Sequence, residues 1–215
     1  GRVDGDKPFV GLRTILQRAH DSDVKIPHAL AAYIVREVCR ARDYAHRKMD
    51  DDGQPLNIVH RDVNPANILV SHEGEVKLLD FGIAKVVEPD AGDAPMTEMP
   101  AFTPCYASPE QLRRERVTTS SDVYSACVVL YELLTGRSPY ASSVDDVGEL
   151  HRAVLERDPA RMSRRVLEES RGDPERSAER IATLRGVTPR KLSRRLAGDL
   201  DTIVARGLRK EPDRR

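Results

Sequence analysis

The feature that most limits what this chain can fold into is a polar stretch that leads into an apolar run, at residues 60–70. It reads His-Arg-Asp-Val-Asn-Pro-Ala-Asn-Ile-Leu-Val, and the triplet Asp-Phe-Gly follows at residues 80–82. A carboxylate such as Asp62 can orient a hydroxyl group, and the side-chain oxygens of Asn67 and Asp80 are of the kind that bind magnesium. These residue types predict a site that handles phosphate groups.

The spacing of these residues predicts that a β-hairpin brings the magnesium ligands together. Apolar runs at residues 68–70 and 76–79 are typical of short strands. Gly74 lies between them, where a tight turn needs a positive φ angle. The hairpin would carry Asn67 at its entrance and Asp80 at its exit, so both would lie at one end of one small unit.

This pattern resembles the H-R-D-x-x-P-x-N catalytic loop and the D-F-G motif of eukaryotic-like, bacterial-type Ser/Thr protein kinases. Residues 103–110 (Thr-Pro-Cys-Tyr-Ala-Ser-Pro-Glu) resemble the end of the family's activation segment, and residues 122–136 resemble its central helix. Residues 210–215 resemble the K-x-P-x-x-R sequence near the end of the domain. The resemblance implies an α+β, protein-kinase-like fold: a predominantly helical C-terminal lobe with small β-hairpins at the catalytic face.

The resemblance also implies which residues carry the chemistry. Asp62 would be the catalytic base, and Asn67 with Asp80 would bind Mg²⁺ and so hold ATP. Asn64 stands where most members carry a lysine close to the transferred phosphate. Its amide would take that catalytic position without the positive charge, so some loss of rate is expected. Arg61 would pair with a phosphorylated residue of the activation segment, because a guanidinium binds phosphate bidentately.

Further roles implied by the resemblance concern regulation and support. Thr97 is the better candidate for the phosphorylated residue and Thr103 the second, with ordinary loop threonines as the alternative. Asp122 would accept hydrogen bonds from the catalytic-loop backbone, and Glu110 and Arg215 would form a buried ion pair. The complete set of expected supporting residues is His60, Phe81, Gly82, Glu110, Asp122 and Arg215.

The start of the chain predicts a large lobe without a small lobe. Residues 1–26 resemble a remnant of the hinge and the first large-lobe helix, and residues 27–215 resemble the C-terminal lobe. A kinase small lobe needs about 60 residues or more for its strands and helix. Lys7 and Lys25, the lysines before residue 27, lack the sequence context of the ATP-binding lysine. Within the lobe we expect a catalytic loop at 60–67, an activation segment at 80–110 and an arginine-rich insert at about 157–195.

Apolar periodicity predicts the helical framework. Helices are expected at about 28–47 after Pro27, at 144–157 and at 196–208. Another is expected to open at about residue 120 with capping residues, to be apolar nearly all round at 123–134 and to end at Gly136. Residues 57–59 predict a short strand before the catalytic loop. Arg42 occupies a position in the first of these helices that is usually apolar in the family.

Charge and cysteine content restrict the partners. The net charge is zero, which gives no general attraction to nucleic acid or to acidic membranes. Three widely spaced cysteines indicate reduced thiols, as in the cytoplasm. The apolar run at residues 126–134 is too short for a membrane span. The expected partners are ATP and a protein substrate, and the arginine-rich insert is either a solvated surface or a docking face for an acidic partner.

Three functions fit these observations. The first is a Ser/Thr protein kinase whose small lobe lies outside this sequence. The second is a non-catalytic binding module, a pseudokinase or kinase relic that uses the lobe surface to hold a partner. The third is a small-molecule phosphotransferase of related fold, which residues 103–110 disfavour because this segment shapes a peptide-binding surface in the family.

Overall fold

A computed structural model of the chain describes residues 9–56, 58–80, 104–140, 147–168 and 177–215. These residues form helices together with one small antiparallel sheet, which confirms the predicted α+β class. Single turns of 3-10 helix lie at Pro104–Tyr106 and Pro212–Arg214. In chain order the strands and helices are β1 (Phe9–Gly11), α1 (Leu12–Asp21), α2 (His28–His46), β2 (Ile68–Ser71), β3 (Val76–Leu78), α3 (Pro109–Leu112), α4 (Thr119–Thr135), α5 (Val147–Glu156), α6 (Met162–Arg165), α7 (Ala178–Thr183), α8 (Pro189–Leu196) and α9 (Asp199–Gly207).

Helix α4 is the centre of the core. Thr118 caps its start by accepting a hydrogen bond from the Ser120 N–H, and Gly136 ends it with φ 68°. The helix is buried on nearly every side, with Tyr124 and Tyr131 at 0 % and 1 % exposure. It begins at Thr119, close to the predicted start at about residue 120, because capping residues define its first turn.

Helix α2 packs against α4 and supports the sheet. It begins directly after Pro27, as predicted, and its Ile34 and Val38 lie in the core. The hydroxyl of Tyr33 donates to the carbonyl of Gly74, at 2.9 Å, in the turn between β2 and β3. The hairpin is therefore fixed to the helical body and not only to itself.

The predicted hairpin is present, with Ile68 paired to Leu78 and Val70 to Val76. Gly74 in its turn has φ 86°, the region in which glycine carries no steric cost. Strand β1 adds to the other edge of β2, and the sequence did not predict it. The strand expected at residues 57–59 is absent at 58 and 59, which have no ladder partner, and residue 57 lies outside the described residues.

The C-terminal helices differ from the prediction in one place. Residues 196–208 were expected to form one helix, but Leu196 ends α8 and α9 starts at Asp199. Gly198, with φ 92°, lies between the two helices and breaks the helical path. The described part of the helix expected at 144–157 is α5. No helix within the described ranges is both long and apolar enough to cross a membrane.

Some arginines of the insert bind the body of the lobe. Arg185 donates to the carbonyls of Leu133 and Leu134, each at 2.8 Å, and so satisfies the end of α4. Arg180 forms an ion pair with Asp23 after α1. In contrast, the basic residues of α8 are exposed: Arg190, Lys191, Arg194 and Arg195. The insert is thus part scaffold and part basic surface.

Close packing of α9 on α4 gives a stability prediction. A Cβ atom placed on Gly207 would overlap with the Sγ atom of Cys127. Gly207→Ala is therefore expected to lower the free energy of unfolding by about 1–3 kcal/mol through overpacking. In urea titrations, Cys127→Gly should make the same Gly207→Ala change nearly neutral. Equal costs of Gly207→Ala in both backgrounds would contradict this packing.

Candidate active site

The catalytic-loop residues Asp62 and Asn67 are in direct contact. The Asn67 Nδ2 donates to the Asp62 carboxylate at 3.0 Å and to the Asp62 carbonyl at 2.9 Å. The carbonyl of Asn67 in turn accepts from the Leu79 N–H at 2.8 Å, next to Asp80. The hairpin therefore returns the chain to the loop, and Asp80 follows directly with an exposed side chain.

His60 connects the start of the loop to the same place. Its Nε2 lies 2.7 Å from the carbonyl of Leu79, and its Nδ1 accepts from the Asp62 N–H at 3.3 Å. A carbonyl can only accept, so these contacts together require a neutral ring that carries its proton on Nε2. Burial lowers the pKa of His60, which keeps the ring in this neutral form.

Asp122, in the first turn of α4, holds the loop backbone. Its carboxylate accepts from the His60 N–H at 2.9 Å and from the Arg61 N–H at 2.8 Å. The side chain is 1 % exposed, so these backbone donors help to satisfy a charge that is out of water. The resemblance implied that Asp122 accepts hydrogen bonds from the catalytic-loop backbone, and the structure has two such hydrogen bonds.

Two residues beside Asp122, Arg42 and His46, are not among the site residues predicted from the sequence. Arg42 is 5 % exposed; its Nε lies 3.5 Å from the Asp122 Oδ2, and its Nη2 donates to the Thr119 carbonyl at 2.9 Å. His46, the last residue of α2, has its Nε2 3.4 Å from the same Oδ2. The sequence shows Arg42 as an arginine on an apolar helix face. It does not show that Asp122 is its partner, because the two residues are far apart in the sequence.

Asn64, which the resemblance predicts near the transferred phosphate, makes its hydrogen bonds within the catalytic loop. It is 2 % exposed, and its Oδ1 accepts from the Ala66 N–H at 2.8 Å. Its Nδ2 donates to the Asp62 carbonyl at 3.2 Å. The amide is turned into the loop because it satisfies these backbone groups, as asparagine commonly does in turns. Asn64 therefore shapes the loop that holds Asp62.

The remaining predicted residues divide into two groups. Glu110 and Arg215 form a buried ion pair, with N–O distances of 2.6 and 2.8 Å and exposures of 2 % and 1 %. Burial acts to raise the pKa of Glu110, but hydrogen bonds from Arg215 and Ser121 contribute to a net lowering of that pKa. The second group, Phe81, Gly82, Thr97 and Thr103, lies outside the described residues.

A pocket of about 480 Å³ lies beside the loop, between α1, α4 and α7. Pro65 of the loop, Arg13 of α1 and Leu184 after α7 contribute to its walls. On another side, the Tyr106 hydroxyl donates to the Glu132 carboxylate. Burial and the Glu132 charge raise the pKa of Tyr106, so the phenol remains a donor. The insert helix α7 thus forms part of a cavity next to the catalytic loop.

The donor set suits a hard, oxygen-binding cation. The described residues contain no cluster of three or more His, Cys, Asp or Glu side chains that could hold a metal. An amide oxygen and a carboxylate, here from Asn67 and Asp80, are nevertheless what Mg²⁺ uses when substrate phosphates and water complete its shell. Because the Asn67 Nδ2 is directed to Asp62, its Oδ1 is the atom left to bind a metal.

Comparison with known proteins agrees with this arrangement. The family model of the protein kinase domain matches residues 8–204. The serine/threonine-protein kinase PknB of Mycolicibacterium smegmatis is 34% identical over 213 residues, 99% of this chain and 27% of that protein. PknB of Mycobacterium tuberculosis strain H37Rv is 31% identical over 185 residues, 86% of this chain and 24% of that protein. A probable serine/threonine-protein kinase PknB of Bifidobacterium longum is 36% identical over 137 residues, 62% of this chain and 19% of that protein.

The chain spans between 19% and 27% of the length of these three relatives. The family match nevertheless extends over almost all of the chain, including the catalytic loop, the hairpin and the central helix. This chain therefore belongs to the protein kinase family, and its relatives are bacterial serine/threonine-protein kinases.

Proposed function

We propose that this chain carries the site at which a Ser/Thr protein kinase transfers the γ-phosphate of ATP to serine or threonine hydroxyls of proteins. The observation that carries the proposal is the contact of Asp62 with Asn67, in a loop that the β2–β3 hairpin joins to Asp80. Membership of the kinase family and the names of the relatives support it. No observation favours the binding-module or small-molecule alternatives.

The proposed mechanism gives each described residue one task. Asp62 accepts a hydrogen bond from the substrate hydroxyl and orients it for attack. The hydrogen bond from Asn67 fixes the Asp62 carboxylate, and His60 and Asn64 fix the backbone around it. Such positioning is the main contribution of the protein to phosphoryl transfer, because the chemistry needs little covalent help.

Asn67 and Asp80 are the residues that would hold magnesium. When bound, Mg²⁺ neutralises charge on the ATP phosphates during transfer. The exposed Asp80 carboxylate and the Asn67 amide oxygen are compatible with such an ion, as the donor set above indicates. ATP and Mg²⁺ are therefore the proposed substrate and cofactor.

This proposal predicts a metal requirement. Chelation of divalent cations should lower phosphoryl transfer by the intact protein at least about 100-fold, because metal charge stabilisation is worth several kcal/mol. Addition of Mg²⁺ should restore the rate in the wild type but not in Asp80→Ala. The matched control is Asp213→Ala, the same substitution at an exposed position, which should respond to Mg²⁺ like the wild type. Transfer that survives chelation would contradict the proposed function.

Three finer features belong to the same proposal. The first is the division of the lobe, which we propose has its catalytic loop at 60–67 and its activation segment at 80–110. The reaction takes place in the cytoplasm, which supplies ATP and suits the free cysteines.

The exposed basic face of α8 binds an acidic partner, and absence of salt-sensitive binding to polyglutamate would argue against that role.

A further inference from the structure

The backbone of Arg61 has a conformation that needs an explanation. Its φ angle is 67°, in the left-handed region that a residue with a side chain rarely adopts. A strained residue of this kind persists only where its surroundings hold it there. Arg61 directly precedes Asp62, so the same contacts decide where the proposed catalytic base lies.

On its N-terminal side, Arg61 is held by the central helix. The Arg61 N–H donates to the Asp122 Oδ1 at 2.8 Å, and Asp122 is buried in the first turn of α4. This contact fixes the peptide group between His60 and Arg61. It leaves the next peptide group, between Arg61 and Asp62, to be fixed by something else.

That next peptide group is held at both ends by side chains. Its carbonyl, from Arg61, accepts a hydrogen bond from the Gln111 Nε2 at 2.7 Å. Its N–H, from Asp62, donates to the His60 Nδ1 at 3.3 Å. Rotation of this peptide plane would change the ψ angle of Arg61 and the φ angle of Asp62. Gln111 and His60 together therefore help to set the direction of the Asp62 side chain.

Gln111 is itself firmly placed. Its Oε1 accepts from the Ser108 N–H at 3.0 Å and from the Ser108 hydroxyl at 3.1 Å, which forms a capping box at the start of α3. The neighbouring Glu110 is anchored to Arg215 in the buried ion pair. Both polar ends of the Gln111 amide are therefore used, one in α3 and one on the catalytic loop.

We propose that Gln111 is a positioning residue for Asp62, and that through it the segment ending in α3 controls the geometry of the catalytic base. This inference rests on the proposed kinase function. Displacement of Ser108–Gln111 removes the hydrogen bond that Gln111 donates to the Arg61 carbonyl and lets the Arg61–Asp62 peptide group rotate more freely. The side chain that connects α3 to the catalytic loop, Gln111, lies 50 positions after Arg61 in the sequence.

The test replaces only the donor. Gln111→Glu keeps the shape and the acceptor for Ser108, but a carboxylate cannot donate to the Arg61 carbonyl. In the intact protein we expect kcat for phosphoryl transfer to fall about tenfold, with KM for ATP changed less than about twofold. NMR-detected exchange of the Asp62 amide hydrogen should become about tenfold faster.

The matched control is Gln54→Glu, the same substitution in an exposed loop, which should leave both readouts unchanged. Gln111→Asn, whose shorter amide falls short of the Arg61 carbonyl, should reproduce the loss without adding a charge. Unchanged kcat and unchanged Asp62 exchange in both Gln111 variants would overturn the inference. A general loss of exchange protection across α4 would overturn it too, since Gln111 would then only stabilise the fold.

The exchange measurement separates this inference from the proposed function. If the wild type transferred no phosphate but Gln111→Glu still accelerated Asp62 exchange selectively, the backbone role would stand and the kinase assignment would fall. If the wild type is an active kinase and Asp62 exchange does not respond, the assignment stands and the positioning role falls.

Discussion

Asp62→Asn is expected to lower kcat for phosphoryl transfer about 1,000-fold, within the range found for loss of a general base. The substituted amide has nearly the same shape and can still accept the hydrogen bond that Asn67 donates at 3.0 Å. It cannot accept a proton from the substrate hydroxyl, because an amide is not a base at neutral pH. Steady-state kinetics with saturating Mg-ATP and a protein substrate would measure the loss.

The control for this prediction is the same substitution at an exposed site, Asp51→Asn, which should transfer phosphate at the wild-type rate. Thermal unfolding of Asp62→Asn should stay close to that of the wild type, and ATP binding should persist. Asp62→Asn turnover within a few-fold of the wild type would show that Asp62 is not the base.

Asp122→Ala is expected to have the largest effect on stability, a loss of about 3–5 kcal/mol in the free energy of unfolding. The change removes the acceptor of the His60 and Arg61 N–H groups and leaves Arg42 beside an alanine. Arg42 is 5 % exposed, so its charge would stay buried without its ion-pair partner. Breaking a buried pair in this way costs more than the pair itself contributes.

A double-mutant cycle with Arg42→Leu tests that reasoning. Leucine returns the helix face to an apolar residue, so the cost of Asp122→Ala should be smaller by about 1–3 kcal/mol in the Arg42→Leu background. Denaturant titrations of the four proteins would give the coupling energy. Additive costs would mean that Arg42 and Asp122 do not depend on each other, despite the 3.5 Å separation of Arg42 Nε and Asp122 Oδ2.

Local sequence was sufficient to predict the hairpin and the central helix. The apolar runs around Gly74 predicted β2 and β3, because both strands and their turn lie within a few residues of each other. The catalytic-loop motif predicted Asp62 and Asn67 together, because a five-residue spacing can be read directly. The predicted Pro27 boundary of α2 likewise depended on one residue.

Contacts between distant segments could not be predicted. Strand β1 is only Phe9–Gly11, too short for a pattern, and it exists because the edge of β2 offers hydrogen bonds. The Gln111 contact with Arg61 joins two segments whose distance is known only from the fold. Arg42 was visible as an exception in its helix, but the buried Asp122 that explains it lies 80 residues later.

The most direct test of the central claim is the identity of the product formed from Mg-ATP labelled at the γ-phosphate. The intact wild-type protein would be incubated with a protein substrate, and the labelled product would be hydrolysed for phosphoamino acid analysis. The account predicts label on phosphoserine or phosphothreonine with the wild type and none above background with Asp62→Asn. No transfer by the wild type, or equal labelling by both proteins, would contradict it.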